Sequence, residues 1–200
     1  MKNIIVLFLI LISITSFSQK SADYIKFVEQ IKKEAKIDSN DKTVYKLLDD
    51  FYDQALQSDK GELNPDISQR IEKLYADTKA KNMHLLTLFL TYQNHISETA
   101  AAGKQADPNF QINLITDLES ELKTAFGNVP LIVIIYKAEA LQANNQSKES
   151  AELISKSLVK YPSSIPLKIF NYENTKDVKI KQDLSKNHST HWMVQQFEIK

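Results

Sequence analysis

Residues 131–164 read LIVIIYKAEALQANNQSKESAELISKSLVKYPSS, and this stretch decides the fold. It opens on LIVII at 131–135, whose β-branched residues favour a strand by propensity alone. The run continues without a break into YKAEAL at 136–141, which carries good helix formers and no turn residue, so the segment is read as helix. Asn144 and Asn145 form a turn, since asparagine tolerates left-handed backbone. From Ser150 onward small and large residues alternate at helical spacing: Ser150, Ile154, Ser157. Pro162 stops this second helix, because its ring clashes with the preceding turn and it has no N–H to donate. The whole is a helical hairpin closed by proline.

The hairpin has counterparts on both sides. Residues 122–130 (LKTAFGNVP) align with 154–162 (ISKSLVKYP), proline on proline, and residues 184–193 (LSKNHSTHWM) align with 158–167 (LVKYPSSIPL). Pro130, Pro162 and His188 therefore mark three equivalent helix-ending junctions, 32 and 26 residues apart. Recurrence at about 32 residues is the mark of stacked helical repeats, and the spacing of 26 implies a shortened one. The hairpin resembles a tetratricopeptide repeat over about residues 83–200. Ala138 matches the small residue where neighbouring helices cross, Ser150 and Ser157 the small packing positions of the second helix, Ile154 the large one between them, and Pro162 the terminal proline. Ile134 and Leu141 stand where that family usually carries aromatics, and the two serines replace alanines. The resemblance implies an all-α fold of antiparallel helical hairpins stacked as a short tetratricopeptide-like solenoid, ending in a capping helix from Trp192 to Ile199. It also implies a concave groove lined by the first helix of each hairpin, where partner peptides meet polar positions. On this chain those positions are Glu139 and Gln142.

Towards the N-terminus, apolar residues keep helical spacing. Tyr24, Phe27, Val28, Ile31 and Ala35 define one helix; Val44, Leu47, Leu48, Phe51 and Ala55 a second, ended by Lys60 and Gly61. Residues 38–41 (DSND) are a turn cluster offering an N-cap. Asn64 caps a third helix with Pro65 in its first turn and a buried stripe of Ile67, Ile71, Leu74 and Tyr75. Lys81 and Asn82 break the chain before a fourth helix, whose first half (LLTLFLTY, 85–92) is apolar nearly all round, as a helix buried on several sides should be. Residues 103–108 are loop, and Ile112, Ile115, Leu118, Leu122 and Ala125 define a fifth helix. No window alternates as a strand would, so sheet is expected to be absent. The chain thus divides into an N-terminal helical region, 20–80, without a recognisable repeat, and the repeats of 83–200.

The first 18 residues read as an export address. Lys2 precedes an unbroken apolar run at 4–12 (IIVLFLILI), and Ser16 and Ser18 sit three and one residues before a cut at Gln19. That run is short for a membrane span, which needs about 20 residues; the rival reading is an uncleaved anchor. The chain has no cysteine, which removes a lipoprotein anchor, disulfides and thiolate metal sites. A mature chain of 182 residues needs no such staples to hold a core. The expected location is periplasmic or secreted, with no integral span once the signal is removed.

Charge and composition exclude several function classes. The 25 basic and 25 acidic residues balance, and Arg70 is the one arginine, so nucleic acid is not an expected partner. The three glycines, Gly61, Gly103 and Gly127, stand alone, whereas phosphate cradles need them clustered. His188 and His191 could face one way on a helix and share zinc, but no third ligand stands at a familiar spacing, and the junction alignment already accounts for both. His84 and His95 lie about 16 Å apart along a helix, too far to share an ion. The pairs Asp49/Asp50 and Glu119/Glu121 do not face each other at helical spacing. Tyr24, Phe51, Tyr52, Phe89, Tyr92 and Trp192 could line a groove, although aromatics at this spacing are more often core. The sequence therefore points to a binding protein, without cofactor or metal, that takes a protein or peptide partner in the cell envelope. The alternatives are a hydrolase-like enzyme with its site between residues 20–80 and the repeats, or a structural accessory subunit.

Overall fold

The computed structural model describes residues 20–200, and the signal segment read at 1–18 lies outside them. The fold is all-α, without strands among the described residues. Ten α-helices are described: α1 (Ala22–Glu34), α2 (Thr43–Phe51), α3 (Pro65–Ala76), α4 (Met83–Ala101), α5 (Pro108–Phe126), α6 (Leu131–Ala143), α7 (Ser147–Lys160), α8 (Ile165–Thr175), α9 (Val178–Asn187) and α10 (Trp192–Gln196). From α4 to α9 each helix packs on the next, as antiparallel hairpins stacked into a short solenoid. LIVII lies inside α6, with Leu131, Ile132, Val133 and Ile135 all buried. Propensity for strand yields there to burial on several sides.

The turns follow their chemistry. Asn145 takes φ 59° between α6 and α7, the left-handed geometry expected of the asparagine pair. Pro130 is the N-cap of α6, Pro162 sits in the turn after α7, and His188 is the C-cap of α9. Ala138, Ser150, Ile154 and Ser157 are all buried where α7 meets α6. Ser150 has a structural reason to be serine: its hydroxyl donates to the Ala138 carbonyl at 2.8 Å. A buried hydroxyl needs such a partner.

The N-terminal helices share the core of the repeats. Tyr24, Val44, Leu47, Leu48, Phe51 and Ile67 belong to the same cluster as Leu85, Phe89, Leu118 and Ile135. α1 docks on α4 and α5, with Lys20 and the Tyr24 hydroxyl on Asp117 and Lys32 on Glu121. α2 does not end at Phe51 but continues as a π-helical turn, Tyr52–Gln57. Together, residues 43–57 form a strap that crosses α4, α6 and α8.

The strap touches all three junctions. Tyr45 meets Phe126 edge-on at 5.3 Å beside the first. At the second, the Tyr52 hydroxyl shares a hydrogen bond with Ser164 Oγ at 2.8 Å, and Gln57 Oε1 accepts from the Ile165 N–H at 3.1 Å. At the third, His191 Nε2 meets the Leu56 carbonyl at 3.0 Å, and the Trp192 N–H donates to the Asp59 carbonyl at 3.0 Å. A wider π-helical turn re-aims the side chains and carbonyls that follow it.

Four local expectations need correction. Tyr75 is 54% exposed, not part of a buried stripe: of the residues of α3 only Ile67 is deeply buried, and the Tyr75 hydroxyl meets Thr87 at 3.3 Å on an exposed face. Asn64 holds the cap position of α3 without a side-chain hydrogen bond to the helix. The second helix ends at Gln57, ahead of Lys60 and Gly61. The capping helix is short: α10 covers Trp192–Gln196, Glu198 turns left-handed at φ 52°, and Ile199 is buried.

Candidate functional site

Most of the chemically suggestive residues are consumed by the fold. His191 is fully buried; its Nδ1 accepts from the Met193 N–H at 3.3 Å, which leaves Nε2 protonated to donate to Leu56. Both ring nitrogens are engaged, burial lowers its pKa, and His188 faces Asp183 instead. His95 Nε2 accepts from the Asp107 N–H, while His84 is buried elsewhere on α4. Glu119 is held by Lys123 and Lys137, and Glu121 by Lys32. Asp50 pairs with Arg70 at 2.6 Å. Asp49 is pushed up to about 6 by burial and by the neighbouring charges of Asp53 and Asp50. Of the six aromatics, Tyr24, Phe51, Phe89 and Tyr92 are core, and Tyr52 and Trp192 pack against it.

Glu139 and Gln142 have a different setting. The first half of α6 is spent on the core, and Tyr136 continues it by stacking on Phe89 and Tyr92. One turn later the face of α6 opens. Glu139, Gln142 and Ala143 line a cavity of about 410 Å³ between the C-terminal halves of α6 and α8, with the start of α7 behind them. Such a volume suits a small ligand or one to two side chains of a larger one. Ala138, Ser150 and Ile154 supply an apolar floor drawn tight by the Ser150 bond to Ala138. From α8 come Phe170, Glu173 and Asn174.

The last wall is Phe197, which meets Phe170 edge-on with ring centroids 6.1 Å apart. It is held there by its neighbours. Ile199 is buried with Ile165, Ile169, Met193 and Val194, so the chain end folds back over α8. The sequence read this segment as a cap and did not connect it with α6. Nor did it single out Phe170, Glu173 and Asn174, because their position depends on how far α8 is rotated against α6.

The electrostatics of the recess are one-sided. Its lining holds two carboxylates, Glu139 and Glu173, two carboxamides, Gln142 and Asn174, and no basic residue. Glu173 reaches Lys176 at 2.8 Å on the exposed rim. Glu139 is exposed along the recess, and desolvation by the protein packed around it pushes its carboxyl upward. No cation or donor is paired with it among the described residues, so nothing offsets that rise.

A second hollow, of about 270 Å³, lies between α1, α3 and α4, with His84 in its wall. His84 Nδ1 is buried without a hydrogen-bond partner, and Nε2 faces Glu121 at 3.7 Å. Burial lowers its pKa.

Among the described residues no helix is long and apolar enough to cross a membrane. Known protein families, curated proteins and solved structures were compared with the chain, and none matches. What defines the molecule is its own geometry: an all-α solenoid, strapped along its junctions, with one acidic, aromatic-walled recess on α6 and α8.

Proposed function

We propose that this is an exported helical-repeat scaffold of tetratricopeptide type, which binds an extended segment of a protein partner in the cell envelope through the recess on α6 and α8. The observation that carries the reading is Glu139, a carboxylate without a partner among the described residues that lines a formed, aromatic-walled cavity. A carboxylate set beside apolar walls with no internal partner favours a ligand that supplies one. Support for the repeat class comes from the buried Ala138, Ser150, Ile154 and Ser157, from the left-handed Asn145, and from three equivalent junctions. The strap fits the same reading. It packs on α6 and meets the N-terminal end of α8 at Ser164 and Ile165, whereas the C-terminal halves of both helices line the recess.

A photo-crosslinking residue at position 142, in cells that make the protein, tests this. Position 159 serves as control, since Val159 is 83% exposed and lies outside the recess. A discrete adduct from position 142 alone is the expected result. Equal labelling from both positions, or none from 142, overturns the assignment of the recess. Export is tested separately by the N-terminal sequence of the purified protein: Gln19 at its start is expected, and retention of Met1 overturns the cleaved-signal reading.

A further inference from the structure

We infer that the anchor of the bound segment is a basic side chain, its cationic head against the Glu139 carboxylate and its methylene stem along the Phe170 and Phe197 rings. This rests on the segment-binding reading and names the chemistry it requires. The lysines of the two helices that wall the recess are already paired. Lys137, the one lysine of α6, is held by Glu119 on another face, and Lys168, the one lysine of α8, by Asp183. Lys176, just past α8, goes to Glu173. Glu139 is thus a carboxylate to which neither α6 nor α8 gives a counter-ion.

Three kinds of occupant can be compared. An anion meets Glu139 and Glu173 and is repelled. A neutral apolar group fills the space over Ile154 and the phenyl rings but strips water from Glu139 without replacing it. A basic side chain satisfies both halves: its stem covers apolar surface, and its head takes the carboxylate. The rings add attraction, because a cation near an aromatic face is favoured. Gln142 and Asn174 stand at the same cavity with carbonyl oxygens able to accept the remaining N–H groups. Desolvation raises the Glu139 pKa, and a bound cation acts in the opposite direction and lowers it. Tyr92, Tyr136 and Glu173 are the other titratable groups around it, and none supplies positive charge.

The test uses the purified protein and fluorescein-labelled heptapeptide pools, degenerate except for a central lysine, arginine, norleucine or glutamate. Lysine- or arginine-centred pools are expected to bind at least about tenfold tighter than the other two, the least expected from a charged hydrogen bond. Glu139→Gln, which keeps shape and removes charge, is expected to abolish that preference while the circular dichroism spectrum stays unchanged. A norleucine pool that binds as well as the lysine pool, or a Glu139→Gln protein that keeps the preference, overturns the inference. A second arm uses n-pentylammonium and 1-pentanol, read by the side-chain amide signals of Gln142 and Asn174. Shifts with the ammonium alone, lost in Glu139→Gln, are expected. If those shifts appear while no peptide pool binds, the cation site stands and the segment-binding reading falls. If peptides crosslink at position 142 without regard to a basic residue, the segment-binding reading stands and the cation site falls.

Discussion

Asn82 offers the sharpest test of how the N-terminal region is joined to the repeats. It is fully buried, adopts φ 58°, and precedes α4. Its side chain reaches across 41 to 44 positions of sequence. Oδ1 accepts from the Asp38 N–H at 3.0 Å, and Nδ2 donates to the Asp38 carbonyl at 2.8 Å and the Asp41 carbonyl at 3.0 Å. Asn82→Ala removes all three bonds and strands their backbone partners. At about 1 kcal/mol net for each bond, that is about 3 kcal/mol. Alanine also dislikes left-handed backbone, which adds about 1 kcal/mol. The expected loss is therefore about 4 kcal/mol, a large share of the roughly 5–15 kcal/mol that holds an ordinary domain. Asn82→Gly loses the same bonds without the steric penalty, so it should be about 1 kcal/mol less damaging than alanine. Urea unfolding reads both, as lower midpoints at unchanged slope. An alanine variant within 1 kcal/mol of the parent, or a glycine variant less stable than the alanine one, would refute this account of the joint.

Gly61→Ala places a Cβ 2.5 Å from Trp192 Nε1 at a residue with φ 67°, so a loss of about 2 kcal/mol or more and a shifted tryptophan emission maximum are expected. Tyr52→Phe removes the hydroxyl that donates to Gln57 Oε1 at 2.6 Å and meets Ser164; about 1–2 kcal/mol should be lost, with faster amide exchange at residues 163–167. For His84 the folded pKa lies below its ordinary 6.5, so the unfolded chain takes up protons first on acidification. Its contribution is then complete above pH 6.5 and lost as pH falls through the folded value, and His84→Leu should flatten that part of the stability profile measured between pH 7 and 5.

The hairpin logic was legible because each of its signals is local. A proline, an asparagine pair and small residues at helical spacing act within a few positions, and Pro130, Asn145, Ser150 and Pro162 stand in the structure where that chemistry puts them. What the sequence could not disclose is long-range. Asn82 reads as a helix breaker, and nothing nearby reveals that its amide is spent on Asp38 and Asp41. The strap was legible as a helix but not as a clasp, because its partners lie at Ser164 and His191. The recess was half visible. Glu139 and Gln142 follow from one helix and a resemblance, while Phe170, Asn174 and Phe197 enter only when α8 and the chain end are packed in place. Tyr75 failed for the converse reason: periodicity names a stripe but does not say how wide a partner covers it.

Glu139 closes the argument, because stability and binding pull it in opposite directions. Its carboxyl is raised from 4.5 to about 7 by burial, so between those values the folded protein holds a proton that the unfolded chain has released. Each step upward in that window therefore weakens folding, and the cost is fully present above pH 7. Solvent contact within the recess discounts its size, but not its sign. Glu139→Gln should accordingly be more stable than the parent at pH 8 and little different at pH 4.5, in thermal unfolding without ligand. A saturating lysine-centred peptide should then raise the parent's melting temperature and leave that of Glu139→Gln unmoved, since a ligand stabilises only the state that binds it. A residue that merely decorated the surface would show neither effect. A variant less stable at pH 8 than the parent would mean that Glu139 already has a partner within the fold, and the recess would lose its claim to a cation.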